Sequence, residues 1–166
     1  MAFTKGVKTQ AKLRDAVFGP PGAGKNYSTL AIASGMGKKI ALIDSERSSA
    51  SKYADRFDFD VLDLEEKSID SYVSAIKEAG QAGYDVLIID SLSHAWQELL
   101  EQIDKLANAK YRGNTWSAWS EGTPKQHHLV DAILDFPGHV LATMRSKTER
   151  SEERRVGKEC RSRLAP

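Results

Sequence analysis

Apolar residues in this chain fall into short runs separated by amphipathic stretches. Leu13 to Phe18 closes on Ala16-Val17-Phe18 and is stopped by Gly19-Pro20-Pro21-Gly22, which reads as a buried strand entering a loop. Lys39 to Asp44 and Asp85 to Asp90 are two further buried strands, the latter the most strand-like run in the chain. Phe59 to Leu64 alternates apolar and acidic residues and predicts a half-exposed strand. His139 to Met144, after the break at Pro137-Gly138, is the last strand. Helical spacing fills the intervals. Lys25 to Met36 carries Leu30 to Ala33 and is closed by Gly35 and Gly37. Ile69 to Gln81 places Tyr72, Val73, Ile76 and Ala79 on one face. Trp96 to Ala109 does so with Leu99, Leu100, Ile103 and Leu106, and Pro124 to Phe136 with Leu129, Val130, Ile133 and Leu134. Ser48 to Arg56 predicts a short helix. Residues 111–123, rich in Gly, Asn, Ser and Trp, predict a loop, and the polar residues 1–11 a loose arm.

Apolar strands alternating with helices require crossover connections. The expected fold is therefore α/β: a mostly parallel sheet of about five strands with helices on both faces. In such sheets ligands sit at the carboxyl ends of the strands. No internal repeat is visible.

Composition narrows the picture. The chain has 166 residues, enough for one ordinary domain, with 40% hydrophobic and 28% charged residues. The formal net charge of +1 disfavours a strongly basic nucleic-acid binder, though not a local basic patch. No apolar run reaches the ~18 residues that cross a bilayer, and the N-terminus lacks an apolar signal core. A soluble protein without membrane partners is expected. Cys160 is the only cysteine, so no internal disulfide and no cysteine-based metal site is expected. Residues 150–166 differ from the rest: up to Arg163 they hold six basic and three acidic residues and resemble the translation of a common sequencing adapter. They are expected to be an artefactual tail, with a solvated basic tail as the alternative. The core is then 12–149, C-terminally incomplete.

The first strand runs into Gly19-Pro20-Pro21-Gly22-Ala23-Gly24-Lys25-Asn26-Tyr27. This is the phosphate-binding loop pattern G-x-x-x-x-G-K-[ST] in its strand–loop–helix setting, with Asn26 in place of Ser or Thr. Glycines let successive backbone N–H groups turn toward phosphate oxygens, the helix N-terminus favours an anion, and Lys25 adds a full charge. The pattern's hydroxyl binds Mg²⁺. The Asn26 amide oxygen can reach a metal only on a longer, differently aimed arm, so phosphate binding is expected to survive and Mg²⁺ placement, hence hydrolysis, to weaken. Val86-Leu87-Ile88-Ile89-Asp90-Ser91 is the second nucleotide-binding pattern, Walker B, whose strand-end carboxylate can hold Mg²⁺ through water. Ile43-Asp44-Ser45-Glu46 also ends in acids. A carboxylate here can polarise the water attacking a γ-phosphate. Alternatively, Glu46 is a solvated loop residue and Asp44 caps a helix.

Ala41 to Glu46 and Val86 to Ser91 resemble the core of RecA-like recombinases. More closely, Arg14 to Glu149 resembles the phage-type AAA-domain ATP-binding proteins, through Lys38 to Asp44, Ser51 to Asp55, Tyr84 to Trp96 and Thr143 to Lys147. The resemblance implies a RecA-like P-loop NTPase whose cofactors are ATP and Mg²⁺. Lys25 and the loop would bind the triphosphate, Asp90 would order Mg²⁺, Glu46 would be the catalytic base, and Thr143 would stand where a sensor feels the γ-phosphate. Arg145 and Lys147 follow where RecA-like proteins begin a DNA-binding loop. It further implies a homo-oligomer coupling hydrolysis to DNA recombination or strand annealing in the cytoplasm of a bacterial host.

Two other classes remain open from the residues alone: a nucleotide-binding switch with little hydrolysis, and a non-catalytic single-stranded-DNA-binding or annealing protein. Trp116 and Trp119 can stack bases or form one buried helical face. His94 and Trp96 can face the nucleotide or simply pack. His127 and His128 are adjacent, point apart on a helix and predict no metal site; Asp58, Asp60 and Asp63 predict a solvated edge.

Overall fold

The structure, a computed structural model, describes residues 11–46 and 50–146. The expected arm and tail therefore lie largely outside the described residues, as does Lys147.

Among the described residues five strands form one sheet: β1 (Arg14–Gly19), β2 (Ile40–Asp44), β3 (Asp60–Asp63), β4 (Val86–Asp90) and β5 (His139–Arg145). Their order is β1-β5-β4-β2-β3, and every pairing is parallel. Four α-helices connect them: α1 (Lys25–Met36), α2 (Ile69–Gln81), α3 (Leu92–Lys110) and α4 (Thr115–Asp135). A short 3-10 turn, Ala50–Tyr53, stands within the expected helix of 48–56.

The alternation of side chains along the inner strands explains why both sheet faces are covered. Ala41, Ile43, Leu87, Ile89, Val140 and Ala142 point toward a core shared with α2, α3 and α4. Ile40, Leu42, Val86, Ile88 and Leu141 point the other way, onto Leu30 and Ala33 of α1. β2 and β4 are buried along their whole length, as an apolar run inside a parallel sheet requires. β3 is exposed throughout rather than half-exposed as its alternation predicts, and β1, expected as a buried strand, has no buried residue, because both lie at the edges of the sheet.

Two boundaries differ from the sequence reading. α3 begins at Leu92 rather than Trp96, directly after its N-cap Ser91 at the end of β4. Residues 115–123, expected in a loop, are the first half of α4, and Pro124 lies inside it. Asn114 Oδ1 caps this helix by accepting from the Ser117 N–H at 3.2 Å. Ala118 and Gly122 then face α3. A Cβ on Gly122 would stand 2.5 Å from Ile103 Cδ1, so this glycine serves a close helix–helix approach rather than a turn. Packing against α3 overrides a loop-like local composition.

The C-terminal end of α4 is tied down by Arg14. Its Nε donates to the Ile133 carbonyl at 2.8 Å, Nη1 to Gly138 at 2.7 Å and Nη2 to Leu134 at 3.0 Å, with a further bond to Phe136. A cation bonded to carbonyls that lack helical partners is favourable at this pole. It also locks β1 beside β5.

Candidate functional site

The parallel registers bring every strand-end residue of interest to one edge of the sheet. Gly19 pairs with Arg145 across β1 and β5, and Asp44 with Asp90 across β2 and β4. Because β5 lies between β1 and β4, Thr143 stands between the phosphate loop and Asp90.

Gly22 and Gly24 both have left-handed backbones, with φ of +79° and +76°, which side chains disfavour. They let the loop close: Ala23 N–H donates to the Pro20 carbonyl at 3.3 Å, and α1 starts immediately after Gly24. Lys25 folds back over this loop. Its Nζ donates to the Gly19 and Pro20 carbonyls at 3.1 and 3.0 Å, and the side chain is buried. Tyr27, half-exposed one residue beyond Asn26, packs edge-on against Tyr53 and Phe57.

Asp90 is only 1% exposed. Its Oδ1 accepts from Thr143 Oγ1 at 2.5 Å and its Oδ2 from Asn26 Nδ2 at 2.5 Å. Burial pushes its carboxyl above the ordinary value. The Thr143 bond opposes that rise, the Glu46 and Asp44 charges add to it, and the Asn26 bond opposes it.

Glu46 sits across from the end of β5. Its Oε1 accepts from Arg145 Nε at 2.8 Å and lies 2.8 Å from Arg145 Nη2. Burial alone would push the Glu46 carboxyl up. The hydrogen bond and charge of Arg145 outweigh it, helped by His94 and Ser91, and hold the group below its ordinary range. Asp44 clasps the turn instead. Its Oδ1 accepts from Glu46 N–H at 2.6 Å and its Oδ2 from Ala50 N–H at 3.1 Å, which is the capping alternative for this residue.

A network that the sequence reading missed joins the two Asp-Ser strand ends. The Ser45 N–H donates to the Asp90 carbonyl at 2.6 Å, and Ser45 Oγ accepts from Ser91 N–H at 2.9 Å. The Ser45 hydroxyl proton has His94 Nδ1 as its nearest partner, at 2.7 Å. Burial, then Lys67 and Arg145, lowers the His94 value, so the neutral ring that can accept this bond is favoured. Tyr72 OH donates to the Ser91 carbonyl at 3.0 Å, and burial pushes this phenol up to about 12. The repeated Asp-Ser at two strand ends was the available signal; their in-register pairing was not visible.

This loop, strand order and acid-bearing edge agree with a match along nearly the whole chain: residues 11–165 fit the family described as AAA domain. The chain belongs to the AAA domain family. Among solved structures, the AAA domain is similar to a protein of pathogenic bacteria described as a prototypical ATPase from the type III secretion system. That match has 18% identity and a TM-score of 0.50, over 90% of this chain and 49% of that one. At this identity the likeness concerns the P-loop NTPase fold alone, and the AAA domain spans about half of that protein's length. No curated protein matches it by sequence.

Asn26 and Asp90, the two residues expected at a metal, do not fit a divalent cation as they stand. The amide presents a donor, not an oxygen, to the carboxylate, and both carboxylate oxygens already accept hydrogen bonds. Among the described residues no group of three or more His, Cys, Asp or Glu could hold a metal ion. His127 and His128 lie exposed on α4. Trp119 packs against Trp96 with ring centroids 5.8 Å apart, whereas Trp116 is 86% exposed. The two tryptophans thus share a helix but not a buried face. Among the described residues no helix is long and apolar enough to cross a membrane. A groove of about 540 Å³ lined by Leu62, Ser68, Asp70, Glu78 and Lys125 includes no phosphate-loop residue, nor Glu46 or Asp90.

Proposed function

We propose that this AAA domain binds ATP in the Gly19–Lys25 loop and couples its binding and hydrolysis to DNA recombination or strand annealing. We further propose a phage-type homo-oligomer acting in a bacterial cytoplasm. The observation that carries the reading is the meeting of Lys25, Asp90, Thr143 and Glu46 at one sheet edge. In this arrangement the loop N–H groups, the α1 N-terminus and Lys25 Nζ take the triphosphate, Lys25 exchanging its two carbonyl partners for phosphate oxygens. Glu46 orients and polarises the attacking water. Thr143, bonded to Asp90, reports the state of the γ-phosphate to β5, whose end carries Arg145. Arg145 and Lys147, with the exposed Trp116, are the proposed single-strand contacts.

A second reading, a nucleotide-binding switch with little hydrolysis, is favoured by one specific observation. Glu46, the proposed base, is held by Arg145, and a carboxylate bonded to a guanidinium is a weak base.

Calorimetric titration of ATP into the full chain, with Lys25→Ala as control, tests the binding. Saturable binding lost in the variant is expected. A folded chain that binds no ATP overturns the proposal. Phosphate release with and without single-stranded DNA then separates the readings: stimulation supports the coupled ATPase, and background rates in both conditions support the switch.

A further inference from the structure

We infer that the Asn26 amide takes the place of a divalent cation at Asp90, so that this site binds a nucleoside triphosphate without needing one. The inference rests on the reading of the Gly19–Lys25 loop as a nucleotide site and adds to it how that site treats metal.

Asn26 stands directly after Lys25, where the loop pattern has a hydroxyl that ligates Mg²⁺. An amide can face a carboxylate only through its nitrogen, because two oxygens would repel. The structure has that orientation, with Nδ2 donating to Asp90 Oδ2 at 2.5 Å. In this orientation the amide oxygen is turned from the carboxylate, and sharing a cation with it would require the amide to rotate and give up this bond. The other carboxylate oxygen takes the Thr143 hydroxyl at 2.5 Å. Asp90 is buried, so a cation would have to crowd in beside these two donors and shed most of its water to reach the carboxylate. Mg²⁺ usually sits between one or two carboxylates and the substrate phosphates, and sheds water reluctantly. Here the carboxylate side of that bridge is already bonded to the protein. The phosphate side retains Lys25, the loop amides and the helix pole, none of which needs a metal.

The test is titration of ATP into the full chain in magnesium and in EDTA, for the wild type, Asn26→Thr, Asn26→Ser and Lys25→Ala, each checked for native circular dichroism. Two small hydroxyl variants guard against one failing to fold. The wild-type dissociation constant is expected to differ by less than about fivefold between buffers, and that of either hydroxyl variant to weaken by more than about fivefold in EDTA. Wild-type binding that weakens more than about fivefold in EDTA overturns the inference and leaves the nucleotide reading intact. Folded hydroxyl variants as indifferent to EDTA as the wild type also overturn it, since Asn26 would not be the cause. No wild-type binding in either buffer, matching Lys25→Ala, overturns the nucleotide reading and the inference with it.

Discussion

Arg145 at the end of β5 and Glu46 after β2 are joined by an ion pair with two 2.8 Å contacts, 99 positions apart in the chain. The pair spans the edge of the sheet above β4. It places Glu46, the proposed base, under the control of a residue from another strand.

Breaking this pair should leave a pH signature. Glu46 lies below its ordinary carboxyl value, so the pair's stabilisation is complete above that value and is lost as pH falls through the lowered one. The side chains are 42% and 20% exposed, which limits the contribution to about 1 kcal/mol or less. Arg145→Ala should therefore lower Tm by at most about 4 °C near pH 7. The difference should narrow below about pH 4. Calorimetric melts across pH check this; a pH-independent difference would assign the loss to packing.

Thr143→Val removes the donor from Asp90 Oδ1 while keeping shape. Thr143 and Asp90 are buried, so the loss of this bond should cost about 1–3 kcal/mol in urea denaturation. The Thr143 bond holds the raised Asp90 carboxyl down, so its loss raises the group further. An acid raised on folding costs stability once pH passes its unfolded value. The penalty should be larger at pH 7 than at pH 4.

Gly138→Ala and Gly35→Ala should have opposite signs. A Cβ on Gly138 would stand 2.3 Å from the Asp85 carbonyl oxygen, which also accepts from His139 N–H at 2.8 Å. The backbone cannot yield without breaking the entry to β5, and a loss of about 1–3 kcal/mol is expected. At Gly35, inside α1, a Cβ meets nothing within 4 Å, so alanine should stabilise by about 0.5–1 kcal/mol. Chemical denaturation of both variants checks the pair.

Trp116→Ala separates surface function from packing. With 86% of the side chain's residue exposed, the substitution should change stability by less than about 0.5 kcal/mol. If a single strand stacks there, its affinity should fall by about 1–3 kcal/mol. Trp119→Ala, which loses the contact with Trp96, should instead lower stability. Fluorescence anisotropy of a labelled single strand, beside thermal melts, reads both.

The sequence by itself determined the local elements and the phosphate loop. Apolar runs identify the inner strands β2, β4 and β5 because inner strands of a parallel sheet are apolar on both faces, whereas the edge strands β1 and β3 show as a shorter run and an acidic alternation. Gly22 and Gly24 mark the left-handed turns of the loop because other residues disfavour that backbone. Asp90, Glu46 and Thr143 were legible as strand-end residues, though not by their partners. Only the tertiary structure decided that β5 lies between β1 and β4, that Asn26 bonds Asp90, that Arg145 holds Glu46, and that 115–123 is helical. These depend on which distant groups meet once water is excluded. Local periodicity records how a segment meets the core, but a buried hydrogen bond or a helix packed through Gly122 on Ile103 is chosen by the partner that supplies the other half.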